Sequence, residues 1–321
     1  MIQRFCLAAL LAGTAFAAQA RDMNFAVVTP IDSHYGAAAN AFAEKIAELS
    51  GGDITIHPKP GGALGGEREV LEGMQIGTIE LTITSTGPLG GFIPETYALD
   101  FPFLFKDYDS ARAVLDGEIG QELLDKFETV DLVGLAWGEN GFRHITNSKH
   151  PIRTPQDVAG LKIRTMENDV HINAFNALGA APTPMSWTEV ITALQQGTID
   201  AQENPTSIIV ANRLWDVQPH ASMTGHVYSP AVIAMSKIHW DQLSEEEQGW
   251  FREAAKAAVA ANREVVSRNE EEGVRLMTEG GMEVVTDVDK AAFEAAVAKT
   301  YDDLAPQYGA ELIERIKAAQ Q

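Results

Sequence analysis

The chain has 321 residues, 45% of them hydrophobic, and its 24 Lys and Arg stand against 45 Asp and Glu for a formal charge of −21. That length can bury a large core, and two lobes are the natural expectation. The acidic balance carries no basic stripe for nucleic acid, and a single cysteine, Cys6, excludes an internal disulfide.

The first twenty residues read as a secretory leader. Arg4 gives a positive start, Leu7 to Ala18 is small and apolar, and Ala18-Gln19-Ala20 has the small-x-small form of a cleavage site. Cleavage after Ala20 would export a mature chain that starts at Arg21, has no cysteine and is destined for the periplasm. No later segment is long and apolar enough to span a bilayer.

Asn24 to Thr29 is expected to be a strand, followed by His34 and Tyr35 in a loop. A helix with Ala41, Phe42, Ile46 and Leu49 on one face then runs to Gly51-Gly52. Asp53 to His57 alternates as a strand does. Gly61-Gly62-Ala63-Leu64-Gly65-Gly66-Glu67 lacks the Lys-Ser/Thr ending of a phosphate loop, so its glycines are read as permitting close backbone approach, with Glu67 starting a helix. Glu80 to Ser85 is a strand, and Leu99 to Phe105 an apolar turn for the core.

Leu132 to Trp137 and Gly141 to Asn147 read as two strands, the second crossing between lobes. Leu161 to Thr165 alternates again, and Asp169 to Leu178 changes to a helical period with Val170, Ala174, Phe175 and Leu178 on one face. Pro182 and Pro184 keep the next residues extended. Ser186-Trp187-Thr188-Glu189 has capping-box spacing, and Gly197 closes that helix. Ile199 to Gln202 is a strand, with Glu203-Asn204-Pro205 as the turn after it. His226 to Ile233 crosses back. Ser244 opens a long helix reaching about Met277, and the helical tail from Lys290 to Ala319 breaks near Pro306. These elements define an α/β chain of two interwoven lobes, a Venus-flytrap architecture braced by one long helix. One lobe is expected from 21–141 plus about 230–270, the other from 142–229 plus about 271–321.

Arg164 ends one strand and Asn204 follows another, which puts both at the ligand edge of a mostly parallel sheet. A guanidinium matches a carboxylate with a planar pair of donors and stays charged. An Asn amide both donates and accepts. Ser85 ends a strand facing the cleft, His34 lies in a first-lobe loop that would meet ligand, and His171 is either a ligand contact or a partly buried helix residue. Glu67 is either a ligand contact or a solvated residue of a first turn. Catalytic signatures are missing: there is no Gly-x-Ser-x-Gly, no His-Glu-x-x-His and no metal-ligand spacing among the eight histidines.

Lys162-Ile163-Arg164, the run Leu178 to Met185, and Ala193-Leu194-Gln195-Gln196-Gly197 continuing to Gln202-Glu203-Asn204-Pro205 occur in an order and spacing that resembles the solute-binding proteins of tripartite ATP-independent periplasmic (TRAP) transporters. The likeness covers nearly the whole mature chain and departs at Ala201, where the family often has Gly. It implies a binding protein and not an enzyme, with no cofactor, working as a monomer with sodium-coupled permease subunits. It also implies that Arg164 pairs with a substrate carboxylate, that Arg143 is a second acid-binding arginine, that Trp187 is a ring against the ligand and that Glu67 accepts from ligand hydroxyls. His226 matches a recurring family histidine whose role stays open. The polar set suits a hydroxylated acid such as D-glucuronate or D-galacturonate. A C4-dicarboxylate, a 2-oxo acid or an ectoine-like solute is the alternative ligand, and a secreted hydrolase or lyase, or a ligand-sensing receptor subunit, the alternative role.

Overall fold

The computed structural model describes residues 21–320. The leader and its cleavage site lie outside the described residues. Nine strands form one mixed sheet: β1 (Arg21–Ala26), β2 (Ile54–Lys59), β3 (Leu81–Ser85), β4 (Leu132–Asn147), β5 (Lys162–Thr165), β6 (Ala181–Pro184), β7 (Ala201–Pro205), β8 (His220–Ser236) and β9 (Glu283–Val285). Around it pack α1 (His34–Leu49), α2 (Glu67–Gln75), α3 (Tyr108–Leu115), α4 (Glu118–Asp125), α5 (Asp169–Ala177), α6 (Trp187–Gln196), α7 (Thr206–Ala211), α8 (Lys237–Trp240), α9 (Glu245–Glu279), α10 (Lys290–Tyr308) and α11 (Ala310–Ala319).

The strand order is β2-β1-β3-β8-β4-β7-β5-β6, with β9 beside β8. The two long central strands give the sheet two halves. The Ala231–Met235 end of β8 pairs with β3, whereas the Arg143–Asn147 end of β4 pairs with β7. The stretch expected as two strands is thus one. β4 keeps its pairing with β8 through three irregularities, at Gly134/Ala136, Glu139/Gly141 and Arg143/Ile145. The polar Gly-Glu-Asn-Gly sequence that looks like a turn is the middle bulge, where Gly141 takes φ +122°.

β7 likewise runs through Glu203, Asn204 and Pro205, which pair with Ile145, His144 and Arg143. A turn would leave those backbone groups without their ladder partners. β6 is an edge strand, the one place in a sheet that tolerates Pro182 and Pro184. Ser186 does not cap α6; its Oγ lies 3.0 Å from Thr188 Oγ1. The tail breaks at Gly309, φ +116°, and not at Pro306, which the last turn of α10 absorbs.

Helix α1 follows its sequence period closely. Phe42 and Ile46 are fully buried, and Phe42 packs edge-on against Phe25 at 5.3 Å and Phe251 of α9 at 5.7 Å. Each such ring removed from water contributes about 1.5–3 kcal/mol. Helix α9 has 35 residues, hence a length of about 52 Å. The Ser244/Glu247 capping box starts it. It packs on α1 in one half of the molecule and on α7 and β9 in the other, and so braces both.

Asn262 fixes α9 to the crossing strand. Its Oδ1 accepts from the Glu139 amide at 2.7 Å, and its Nδ2 donates to the carbonyls of Glu139 at 3.0 Å and His34 at 3.3 Å. Glu139 is fully buried, held by Arg112 at 2.7 and 2.8 Å and by the Tyr228 hydroxyl at 3.2 Å. Asn262→Ala leaves the Glu139 amide without a partner in the interior, at a cost of about 2–3 kcal/mol. Asn262→Asp should not rescue it, because a carboxylate cannot donate to the two carbonyls. Urea denaturation checks this, and an alanine variant within about 0.5 kcal/mol of wild type would contradict it.

Candidate functional site

The cleft between the halves narrows to a cavity of about 20 Å³, room for little more than a single water. Tyr35, Glu67, Ser85 and Asn140 line one side; Arg164, Met166, Trp187 and Asn204 line the other. A smaller space beside it, about 10 Å³, reaches Met185 and Ser186. Larger hollows lie elsewhere, and the two largest are about 400 Å³ along α9 and about 480 Å³ between Phe103, Phe142 and Lys290. Neither gathers a buried arginine, and we assign the site to the cleft.

Arg164 lies at the end of β5 and is 2% exposed. Its Nε and Nη2 both donate to the Met185 carbonyl, at 3.0 and 2.8 Å. The guanidinium stands 5.7 Å from the centre of the Trp187 ring. Among the described residues no carboxylate lies within 4.0 Å of it, so it is a buried cation without a counter-ion. Burial pulls its pKa down to about 10, only partly offset by the more distant Glu203, and it stays charged at neutral pH.

Arg143 has the opposite circumstance. It is fully buried, and its Nε and Nη2 grip Glu203 at 2.5 and 2.8 Å. Nη2 also meets the Glu203 carbonyl at 2.6 Å and Asn204 Oδ1 at 3.2 Å. His226 Nε2 completes the group, 3.2 Å from Glu203 Oε2, with its Nδ1 2.8 Å from Thr224 Oγ1. Burial alone would raise the Glu203 carboxyl, but the charge of Arg143 and these hydrogen bonds hold it well below the usual carboxylate range. Arg143, expected from the resemblance to meet the acid, is therefore already neutralised and is not among the cavity-lining residues; its Nη1 remains buried without a partner.

Asn204 lines the cavity, its Nδ2 donating to Gln202 Oε1 at 2.6 Å. Across from it, Glu67 Oε1 accepts from Thr84 Oγ1 at 3.0 Å and from the amide and hydroxyl of Ser85, both at 2.8 Å. Glu67 opens α2 and Ser85 ends β3, so two elements meet at one carboxylate. Trp187 is 8% exposed and shares a core cluster with Val190 and Ile208.

The two histidines fall behind the cavity wall. His34 is not in a loop; it opens α1 and is fully buried, Nε2 3.2 Å from Asn140 Oδ1, with burial pushing its pKa down to about 4. His171, in the first turn of α5, has neither ring nitrogen hydrogen-bonded, and burial takes it down to about 3. Tyr35, one residue on from His34, lines the cavity instead, with its hydroxyl buried and unpartnered. The Ser33 cap was the available signal, since it sets which residues of the first turn face inward. Met166, just past the end of β5 and two residues beyond Arg164, lines the cavity as well, as the strand's two-residue period carried one step further would place it. The glycine loop meets the other half of the molecule: Gly62 approaches Thr188, and Gly66 approaches Ser186.

These groups can hold an anion that also offers hydroxyls. Among the described residues no set of three or more His, Cys, Asp or Glu could bind a metal, and no helix is long and apolar enough to cross a membrane. The arrangement is that of a two-lobed binding protein, which encloses a solute without transforming it. The family model for bacterial extracellular solute-binding proteins, family 7 (DctP), matches residues 25–307. A solute-binding protein of Verminephrobacter eiseniae is 46% identical over 306 residues, 95% of this chain and 91% of its own length. A TRAP periplasmic solute-binding protein from Polaromonas sp. JS666, solved bound to D-erythronate, is 48% identical with TM-score 0.91, covering 93% of this chain and 98% of that one. The sugar acid binding protein of Advenella mimigardefordensis, solved in complex with galactonate, is 36% identical with TM-score 0.92 over 94% and 98% of the two chains. The chain belongs to this family, the solute-binding proteins of TRAP transporters. Proteins of the family are periplasmic, bind small organic acids, work with membrane permease subunits and are not enzymes.

The buried histidines give the fold a pH dependence. Burial pushes His144 down to about 3, beside His34 at about 4 and His171 at about 3, against 6.5 in an unfolded chain. The unfolded state therefore takes up more protons as pH falls below 6.5, and stability falls with it. Glu203, depressed by Arg143, acts in the same direction below its unfolded pKa. Asp100 opposes them: burial raises it to about 7 from 3.8, so its contribution is full in acid and lost as pH rises through 7. Three histidines outweigh one aspartate, and the urea midpoint should drop steadily from pH 6.5 to 4. A midpoint that rises over that range would contradict the neutral burial of these rings.

Proposed function

We propose that this protein captures a hydroxylated monocarboxylic acid of the sugar-acid class, with D-glucuronate and D-galacturonate as candidates, and delivers it to the permease of a TRAP transporter. The observation that carries this reading is the buried, charged Arg164 with no carboxylate partner among the described residues. Arg143 is neutralised by Glu203, so the cleft has one cation to spare and suits one carboxylate, not the two of a C4-dicarboxylate. Opposite it, Glu67 accepts hydrogen bonds, which a hydroxyl supplies and the keto group of a 2-oxo acid does not. Trp187 and Tyr35 are too few rings for the amidinium of an ectoine-like zwitterion. The relatives solved with D-erythronate and galactonate hold acids of the same chemistry.

In this reading, Arg164 and Asn204 belong to one lobe, 142–229 plus about 271–321, and Glu67 and Ser85 to the other, 21–141 plus about 230–270. The acid bridges them, and its extra contacts in the closed form draw the hinge shut. The mature chain, a monomer starting at Arg21 after loss of the leader, works in the periplasm. Losing Arg4 alone takes the formal charge from −21 to −22, so the overall field repels the ligand and affinity comes from local donors.

Arg164→Ala should lose about 2–5 kcal/mol of binding, roughly 30- to several-thousand-fold. Arg164→Lys should also be poor, because an ammonium lacks the planar fork. The ligand-free fold should keep its stability or gain, since an uncompensated buried charge has been removed. Calorimetry with D-glucuronate, D-galacturonate, D-galactonate, D-erythronate and succinate, plus a melting curve for each variant, is the test. Succinate binding above every hydroxy acid, or near-normal affinity in Arg164→Ala, would contradict the assignment.

A further inference from the structure

Three side chains from the Arg164 side of the cleft press into the opposite side at positions where any side chain would block them. A Cβ on Gly66 would fall on the Ser186 hydroxyl, with Ser186 Cβ at 3.3 Å. One on Gly87 would meet Met166, 2.7 Å from its Cε and 2.9 Å from its Cβ. One on Gly62 would lie 2.6 Å from Thr188 Cγ2. Ser85 Oγ, whose hydrogen goes to Glu67, touches Met166 Sδ at 3.3 Å, and polar bonds cross the same boundary from Asn168 Nδ2 to the Gly87 carbonyl at 3.1 Å and from Arg68 Nε to Glu167 at 3.3 Å.

Backbone conformation does not explain two of these glycines. Gly66 is extended, φ −75° and ψ 176°, and Gly87 is absent from the residues of positive φ. Alanine fits either backbone. Within its own half, the nearest atom to a Cβ on Gly66 is Glu69 Oε2, the far end of a flexible side chain, at 2.6 Å. The nearest atoms a methyl group would meet come from the opposite side of the cleft, the Ser186 hydroxyl at Gly66 and Met166 at Gly87.

We propose that Met166, Ser186 and Thr188 are selectivity residues: they seat on Gly87, Gly66 and Gly62 to set how far the lobes close, and so limit the bulk of acid the shut cleft retains. This rests on the reading of the cleft as the acid site. With the seam seated, the remaining cavity of about 20 Å³ holds little more than a water, so any acid parts the seam, a short one less than a longer one. Substitutions that add a methyl group at the seam raise the free energy of the closed form alone, and the apparent affinity falls with the closed population.

A cysteine pair tests the contact without relying on ligand identity. The mature chain has no cysteine of its own, and 3.3 Å between the Gly66 and Ser186 Cβ positions is close to the roughly 3.5–4.5 Å span of a disulfide. Gly66→Cys with Ser186→Cys should oxidise to an intramolecular bond, faster in the presence of saturating D-erythronate. Gly66→Ala and Gly87→Ala should each weaken D-erythronate by about 5- to 150-fold, with a smaller loss for the longer D-galactonate and an unchanged melting curve without ligand. No disulfide under oxidation, alanine variants that bind as wild type, an equal or larger loss for D-galactonate, or a lowered ligand-free melting temperature would each overturn the proposal. If neither acid binds the wild type, the ligand assignment fails, and the disulfide formed without acid still judges the seam.

Discussion

Two buried arginines stand at the centre of this molecule, and among the described residues only one has a counter-ion. Glu203 takes the Nε–Nη2 edge of Arg143 at 2.5 and 2.8 Å and is itself held by His226. Arg164 receives no such carboxylate from the described residues. Its side chain rests on the Met185 carbonyl, which supplies acceptor lone pairs but no charge. Removing a cation from water without a partner costs several kcal/mol. A protein that keeps one in that state retains a standing preference for an anion from outside.

The rest of the fold maintains that imbalance. The long strands β4 and β8 carry the polar groups through the middle of the molecule, and α9 fixes β4 through Asn262 at the bulge next to Asn140. Around this axis the buried polar atoms are tied in short groups: Arg112–Glu139–Tyr228, Arg143–Glu203–His226, and Thr86–Asp100–Asn168. The third joins residues of both halves, as the seam at Gly62, Gly66 and Gly87 does. The cleft is therefore bounded by contacts that pull it shut and one charge that makes shutting on nothing unfavourable.

The elements carried by local period were legible from sequence. α9 appears where its apolar face and cap place it, α1 appears where its apolar face does although it starts earlier, at His34, and the β5–α5–β6–α6–β7 succession from 162 to 205 follows from alternation, helical period and the stops at Gly179 and Gly197. What was not legible depends on partners distant in sequence. β4 is continuous because β8, some ninety residues on, pairs with it across each bulge. Glu203 looked like a turn residue because its partner, Arg143, lies 60 positions earlier. The resemblance gave Arg143 as a second acid-binding arginine, and nothing local in the sequence shows that Glu203 occupies it. His34 and Tyr35 are adjacent in sequence, and only the packing of α1 decides that the ring of one is buried behind the wall and the other lines it.

The claim on which all of this turns is that Arg164 awaits a negative charge and not merely a polar surface. The direct measurement compares, by calorimetry on the unmodified protein, a sugar acid that it binds with the carboxamide of that same acid. The two have nearly the same shape and hydroxyls, and only one carries the charge. The account predicts that the amide binds at least about 30-fold more weakly, a difference of about 2 kcal/mol. Equal affinities for acid and amide would mean that the buried guanidinium is not what holds the ligand.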